Sequence, residues 1–198
     1  MLNNGSTNDT ICQMMMQNQG HMLPINSCSL PQDALLARYN QNQGYTDCYT
    51  TEIAGPVSHA RFVKAFYTTP LFRTEALILR WAIGKPSTHA QAAELAQGQR
   101  DAFAAWTVEA RAPDQLLLCD VMGRTRSWLM VEPVATDGVH QTTDGTRLYF
   151  GSAVVPRLDR QTGKARMGWL FSALLGFHRL YSILLLYSAR KRLEAGLR

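Results

Sequence analysis

The chain has 198 residues, of which 46% are hydrophobic, which is ordinary for a soluble protein and enough for one domain with a real core. The formal net charge of +5 comes from the C-terminal end, where residues 157–198 carry nine Lys or Arg against two Asp or Glu, while the other residues carry eleven against thirteen. Since the sequence has no aromatic-plus-basic RNA-binding motif and no zinc-finger spacing, this charge does not indicate a nucleic-acid-binding protein.

The N-terminal segment, residues 1–43, is predicted to be a separate, disordered tail. It is rich in Asn, Gln, Ser and Thr and has no helical or strand period, so it cannot bury enough apolar surface to offset its ordering entropy. Within it, LPQDALLARYNQ is predicted to form a short helix or an arm. The segment lacks the basic and apolar regions of a signal peptide, which favours a cytoplasmic protein. Since Cys12, Cys28, Cys48 and Cys119 include no C-x-x-C pair, neither a disulfide framework nor a metal site is expected.

The folded domain, residues 44–198, is predicted to begin with a strand and to continue with helices. The stretch YTDCYTTEI has the aromatic and β-branched residues of a strand, which Gly55-Pro56 ends. Ser58 is the expected N-cap of the next helix, HARFVKAFYTT, in which apolar residues recur at helical spacing. Pro70 interrupts that helix, and two more helices are predicted in LFRTEALILRWAIG and STHAQAAELAQG.

Four strands are predicted next, because the hydrophobic period changes from that of a helix to alternation. In AAWTVEAR, one face is formed by alternate apolar residues, which indicates a strand with the other face in water. The residues of that apolar face are Ala104, Trp106, Val108 and Ala110. Turn residues then separate QLLLCDV, TRSWLMVEPV and TRLYFGSAVV, and the short connections make the four strands an antiparallel meander. Since helices and strands are segregated along the chain, the predicted fold class is α+β, with five strands in all.

The most apolar part of the chain, GWLFSALLGFHRLYSILLLYSARKR, is predicted to be a long C-terminal helix over residues 168–192. A membrane span needs about 18–20 apolar residues, and here His178 and Arg179 interrupt the run. At helical spacing His178 joins an apolar face, whereas Arg179 and Ser182 belong to a thinner polar stripe. We therefore expect a helix that covers the apolar face of the sheet. The alternative is a membrane anchor formed by residues 168–189.

This order of elements resembles the helix-grip fold of the START and polyketide-cyclase-like (SRPBCC) superfamily. More narrowly, WTVEARAPDQLLLCD, SWLMVEP, TRLYFGSAVVP and LLGFHRLYSILLL resemble a family of uncharacterised bacterial domains in that superfamily. The matching positions are Trp106, Val108, Leu116 to Leu118, Trp128, Phe177 and His178. The resemblance implies an antiparallel sheet wrapped on a long C-terminal helix, two or three short helices after the first strand, and a ligand cavity between sheet and helix. The chain departs from that fold in its long polar tail and in having five predicted strands instead of six or seven.

Four side chains are candidates for ligand binding: Trp106, Trp128, Tyr149 and His178. The three aromatic residues lie in predicted strands, where they would line an aromatic pocket or else belong to the ordinary core. His178 lies on the apolar arc of the last helix. There it would hydrogen-bond a ligand, act as a general base, or be a buried histidine that the protein itself satisfies.

No strong catalytic signature occurs in the sequence, so whether the protein is an enzyme stays open. Asp120 and Glu132 lie near strand ends and are expected to be solvated. Arg126 and Arg147 are expected to form weak surface pairs with strand carboxylates such as Glu109. The five histidines fall in different segments, and neither a metal nor a cofactor is predicted.

The sequence thus predicts a cytoplasmic protein of the helix-grip kind that binds a small hydrophobic ligand between its sheet and its C-terminal helix. One alternative is a cyclase, dehydratase or hydrolase that uses His178. The other is a membrane-associated protein held by its last helix. The wide apolar arc of that helix also leaves room for a homodimer contact.

Overall fold

The structure is a computed structural model of the whole chain. The described residues are 25–40, 45–72, 88–135, 143–155 and 169–196, and of residues 135, 143, 144 and 169–178 only the backbone is described. The strands are β1 (Asn26–Ser27), β2 (Tyr45–Ala54), β3 (Ala102–Phe103), β4 (Trp106–Ala112), β5 (Gln115–Asp120), β6 (Thr125–Ala135) and β7 (Thr143–Val154). The helices are a 3₁₀ helix (Leu35–Tyr39), α1 (His59–Tyr67), α2 (His89–Ala96) and α3 (Trp169–Ala195). Of the helix predicted over residues 71–84, residues 73–84 lie outside the described residues.

All seven strands form one open antiparallel sheet in the order β1-β2-β7-β6-β5-β4-β3. The predicted meander corresponds to β4 through β7, and β2 pairs along its whole length with β7. The α+β fold class is therefore confirmed. The count of five strands is wrong, because β1 and β3 have only two residues each. Two residues are too few to show the alternation by which a strand is recognised in a sequence.

The register divides the side chains of the sheet between an inner face, toward the helices, and an outer face, toward residues 25–40. The buried strand residues of the inner face are Tyr49, Ile53, Phe103, Trp106, Leu116, Leu118, Leu129, Leu148 and Phe150. Those of the outer face are Cys48, Leu117, Trp128, Met130, Tyr149 and Ala153. Helix side chains, among them Phe62 and Phe66 of α1 and Leu186 of α3, complete the inner cluster. The sheet thus separates two hydrophobic clusters.

In β4 the predicted alternation of apolar and polar residues holds only as far as Val108. A β-bulge between Val108 and Ala110 shifts the register of this strand. Ala110 consequently packs with the outer cluster, while Trp106 and Val108 belong to the inner one. The prediction that Ala110 shares a face with Trp106 is therefore wrong, since one extra residue in a strand turns all later side chains over.

Residues 25–40, which we call the N-terminal strap, cover the outer face of the sheet. Leu36 of the 3₁₀ helix is completely buried in the outer cluster, and Ala34 is 5% exposed. The side-chain carbonyl of Gln115 accepts a hydrogen bond from the backbone N–H of Leu35 at 2.9 Å, which fixes this helix on the sheet. The tail predicted for residues 1–43 therefore does not extend over the strap, and its residues 1–24 lie outside the described part of the chain.

Helices α1 and α2 begin at capping residues. Ser58 accepts a hydrogen bond from the backbone N–H of Arg61 at 3.3 Å, which confirms the predicted N-cap of α1. At α2 the N-cap is Thr88, whose side chain forms a reciprocal capping box with Gln91. The helix therefore begins one residue later than the Ser87 start that the sequence suggests.

Helix α3 packs along the inner face beside β2, β7 and α1. Arg179 donates to the hydroxyl of Tyr45 at 2.8 Å, and Arg190 donates to the hydroxyl of Thr51 at 3.1 Å. Since the earlier residue of α3 contacts the earlier residue of β2, and the later one contacts the later one, α3 runs in the same direction as β2. Among the side chains of α3 that are described, which begin at Arg179, the buried ones are those of Ser182, Leu185, Leu186, Ala189 and Leu193. Arg179 is exposed as predicted, but the placement of Ser182 in the exposed polar stripe is wrong, because its side chain is completely buried.

Candidate functional site

The four side chains predicted to bind a ligand are not brought together. Trp106 belongs to the inner cluster, whereas Trp128 and Tyr149 belong to the outer cluster beneath the strap. The side chain of His178 lies outside the described residues, although its backbone is part of α3. Trp106 therefore cannot share one pocket with Trp128 and Tyr149, because the sheet lies between them.

Trp128 is fully buried, and its polar atom has a partner inside the protein. Its indole N–H donates to the side-chain carbonyl of Gln115 at 2.9 Å, and the same oxygen accepts from Leu35 of the strap. The amide of Gln115 in turn donates to the backbone carbonyl of Asp33 at 3.2 Å. Trp128 thus helps to hold the strap on the sheet, and its described contacts are those of a core residue.

Tyr149 lies beside Trp128, with the ring centroids 6.2 Å apart, and joins a charged cluster at its hydroxyl end. The hydroxyl donates to Glu132 at 2.7 Å, and Arg147 pairs with both Glu132 and Glu52, at 3.3 Å and 2.8 Å. Burial, and next to it the hydrogen bond to Glu132, raises the pKa of Tyr149 to about 12. Glu132 is therefore paired on the outer face and is not simply solvated, as the sequence suggests.

Trp106 is different, because its polar atom has no partner in the described part of the chain. The side chain is 9% exposed, yet its buried indole N–H meets no hydrogen-bond acceptor among the described residues. It stands opposite Phe103 across the β3–β4 hairpin. Phe103 in turn packs against Tyr67 and Phe72, with ring centroids 5.7 Å and 6.0 Å away. Trp106 therefore places an unused hydrogen-bond donor next to a buried aromatic group.

A layer of polar side chains crosses the inner face beside this aromatic group. Asp47, Ser152 and Ser127 stand opposite one another on β2, β7 and β6. The carboxylate of Asp47 accepts from the hydroxyl of Ser152 at 2.6 Å and from its backbone N–H at 3.0 Å. The hydroxyl of Ser127 shares a hydrogen bond of 2.9 Å with that of Tyr67. We call Asp47, Ser152, Ser127 and Tyr67 the polar layer.

The polar layer lies level with the part of α3 that contains Ser182. Arg179 reaches Tyr45, which is two residues before Asp47 on the same face of β2. Ser182 lies one helical turn further along α3, and a turn advances about 5 Å, close to the spacing of alternate strand residues. The buried hydroxyl of Ser182 has no hydrogen-bond partner among the described residues. Ser182 and Trp106 are therefore two unsatisfied polar groups at the same end of the strands, Ser182 beside β2 and β7 and Trp106 on β4, at the other side of the sheet.

Burial and the charge of Asp47 govern the electrostatics of this end of the sheet. Burial, and next to it the negative charge of Asp47, raises the pKa of Tyr49 to about 12. Burial also raises the pKa of Tyr45, although the nearby Arg179 opposes this shift. Both tyrosine hydroxyls are consequently neutral near pH 7, so the layer offers hydroxyl groups and one carboxylate rather than a phenolate.

The polar layer is not among the sites predicted from the sequence. The available signal is Asp47, which lies between Tyr45 and Tyr49 at alternate positions of a strand and therefore shares their face. An acidic residue on an otherwise aromatic strand face is a candidate for a buried role. Asp120 is another acidic residue near a strand end, but its carboxylate accepts from the backbone N–H groups of Arg124 and Thr125 and so closes a turn.

The geometry is suited to holding a molecule and does not by itself assemble a catalytic group. The polar layer and the two unsatisfied groups can donate or accept hydrogen bonds beside a large apolar surface. The role of His178 as a base stays a prediction, since its side chain lies outside the described residues. Among the residues that are described, no three His, Cys, Asp or Glu side chains come together to hold a metal ion.

Fold and site together define an α+β domain with an open seven-stranded antiparallel sheet, a C-terminal helix on one face and buried polar groups between them. The chain matches no protein-family model and no curated protein at a significant level. Within the described parts of the chain, no helix is both long enough and apolar enough to cross a membrane.

Proposed function

We propose that the chain is a helix-grip-like domain of the START and polyketide-cyclase-like kind, and that it binds a small, mostly apolar molecule. The binding site lies between the inner face of the sheet and α3. The observation that carries this proposal is the buried indole N–H of Trp106, which meets no acceptor among the described residues. The large inner cluster and the position of α3 support the same function.

An unsatisfied buried donor is unfavourable unless something else accepts its hydrogen bond. Leaving such a group without a partner costs about 1–3 kcal/mol, and the large majority of buried side-chain polar atoms in proteins are paired. Trp106 and Ser182 both carry such a group at the same end of the strands. An acceptor atom of a bound molecule would remove the penalty at Trp106, and a second polar atom would remove the one at Ser182.

The chemistry of the two groups indicates the class of ligand. An indole N–H only donates, so its partner has to be an acceptor such as a carbonyl, ether or carboxylate oxygen. Tyr67, Phe72 and Phe103 pack against one another as an apolar group, and Phe103 stands opposite Trp106 across the β3–β4 hairpin. We therefore infer an apolar ligand with one acceptor group directed at Trp106.

The test is to titrate the purified chain with 1-anilinonaphthalene-8-sulfonate, an apolar aromatic probe with anionic acceptor oxygens. We expect saturable binding, and Trp106→Phe should weaken it about fivefold to tenfold, since the lost hydrogen bond is worth about 1–1.5 kcal/mol. Ser182→Ala should also weaken binding. In the absence of probe, Ser182→Ala should raise the free energy of unfolding by up to about 1 kcal/mol, because it removes an unsatisfied buried hydroxyl.

Trp128→Phe is the matched control, because it removes an indole N–H from the opposite face of the sheet. It breaks the hydrogen bond to Gln115, so it should lower the free energy of unfolding but leave the affinity for the probe within about twofold. The proposal is contradicted if the probe does not bind, or if Trp128→Phe weakens binding and Trp106→Phe does not.

A further inference from the structure

Two cysteines that are far apart in the sequence meet on the outer face of the sheet. The sulfur atoms of Cys28 and Cys48 lie 3.2 Å apart. Cys28 directly follows β1, and Cys48 lies within β2. Both side chains contribute to the outer cluster beneath the strap. The pair therefore joins the strap to the sheet.

The backbone arrangement already suits a covalent link between these residues. The pairs Asn26↔Thr50 and Ser27↔Tyr49 continue to Cys28 opposite Cys48, and the backbone N–H of Cys28 donates to the backbone carbonyl of Cys48 at 3.0 Å. Opposed Cα atoms in an antiparallel pair are about 4.5–5.5 Å apart, and disulfides span Cα separations of about 4.4–6.8 Å. To form a disulfide at this position, only the sulfur atoms need to move, until they are about 2.05 Å apart.

The two thiols also differ in a way that favours reaction. Cys28 is half-buried and therefore accessible to a small oxidant, whereas Cys48 is buried. The hydrogen bond between the thiols lowers the pKa of Cys28, and the positive charge of Arg147 acts in the same direction. The same hydrogen bond, together with burial, raises the pKa of Cys48. Cys28 is thus the more reactive of the two sulfurs, since the thiolate is the nucleophile.

We propose that Cys28 and Cys48 are a redox-modification site, at which a reversible disulfide locks the N-terminal strap onto the outer face. Hydrogen peroxide is the oxidant. The Cys28 thiolate attacks one peroxide oxygen, the O–O bond breaks, and Cys28 becomes a sulfenic acid while water leaves. The sulfur of Cys48 then attacks the sulfur of that sulfenic acid, forming the S–S bond and releasing a second water. Two thiols lose two electrons and two protons, and one peroxide becomes two waters.

The experiment treats the full-length chain with hydrogen peroxide and maps the remaining thiols by alkylation and mass spectrometry. The expected main product is about 2 Da lighter, contains a Cys28–Cys48 link, and is reduced back by dithiothreitol. Because the link closes a chain segment of about 20 residues, the midpoint of thermal unfolding should rise by about 5–10 °C. Trypsin should also cleave more slowly after Arg38, whose side chain is 51% exposed.

Cys28→Ser should abolish the link, the rise in melting temperature and the protection of Arg38. Cys119→Ser is the matched control, because Cys119 is also half-buried but lies on another strand, and it should leave all three effects intact. The proposal is overturned if Cys28 links to Cys12 or Cys119 instead, or if it proceeds to a sulfinic acid without a link. A linked chain with unchanged melting temperature and unchanged cleavage would overturn the locking role.

Discussion

At the scale of single residues, His59 shows how burial alone can control a titratable group. His59 is the first residue of α1, and its Nε2 atom is buried with no hydrogen-bond partner among the described residues. Burial lowers the pKa of this imidazole to about 4, against an opposing hydrogen bond with the backbone of Leu129. The signal in the sequence is its spacing, since Phe62 and Val63 follow at the third and fourth positions, on the buried face of the helix.

His59 should therefore make the folded protein sensitive to mild acid. In the unfolded chain His59 binds a proton below its ordinary pKa of about 6.5, whereas in the folded chain it stays neutral down to about pH 4. The unfolded state binds more protons in this window, so the free energy of unfolding falls as the pH is lowered. Urea unfolding at pH 7 and pH 4.5 should show that His59→Gln removes about 2 kcal/mol of this fall.

The exposed His89 of α2 provides the control for this measurement. His89→Gln should leave the difference in stability between the two pH values as it is in the unmodified chain. An unchanged pH dependence in the His59→Gln variant would show that this imidazole is not held neutral by burial.

At the scale of elements, the attachment of the strap to the sheet depends on Gly151 of β7. A Cβ atom at this position would lie 2.8 Å from Leu36, 2.9 Å from Trp128 and 3.0 Å from the backbone carbonyl of Asp47. These separations are shorter than van der Waals contact. Gly151 is therefore required by the close approach of the 3₁₀ helix and the Trp128 ring, and its backbone conformation is not the reason.

Gly151→Ala should lower the free energy of unfolding by about 1–3 kcal/mol, as expected for overpacking of a filled core. A double-mutant cycle with Leu36→Ala, measured by chemical denaturation, shows whether the contact with Leu36 is the cause. Removing the Leu36 side chain provides space, so Gly151→Ala should lower the free energy of unfolding clearly less in the Leu36→Ala background than in the unmodified chain. Equal costs in both backgrounds would mean that the strap does not pack on Gly151.

The same elements show how far the sequence alone predicts this fold. Long segments with a clear period, such as β6 and α1, were predictable because their own residues determine their pattern. For the strap, the short helix was predictable but its place on the sheet was not, since this helix is held by Gln115, a residue 80 positions away. The opposite faces of Trp106 and Trp128 depend on the pairing between strands. The buried position of Ser182 likewise follows from where α3 docks, which helical spacing alone does not determine.

At the scale of the whole molecule, the sheet separates two proposed sites. The outer face is held by the strap, through Trp128, Gln115 and the pair of cysteines. The inner face carries the polar layer, Trp106 and Ser182 beside α3. The proposed ligand site and the proposed redox site thus lie on opposite sides of one sheet. Formation of the disulfide on the outer face should stabilise the fold and leave the proposed ligand site on the inner face unchanged.

The central claim, that a ligand accepts a hydrogen bond from Trp106 on the inner face, is tested most directly by NMR of the indole N–H groups. The nitrogen-15-labelled chain has four tryptophans, and Trp106→Phe and Trp128→Phe assign two of the signals. On addition of 1-anilinonaphthalene-8-sulfonate, the Trp106 signal should shift strongly and the Trp128 signal should stay in place. A bound probe that shifts the Trp128 signal and leaves Trp106 unchanged would contradict the account.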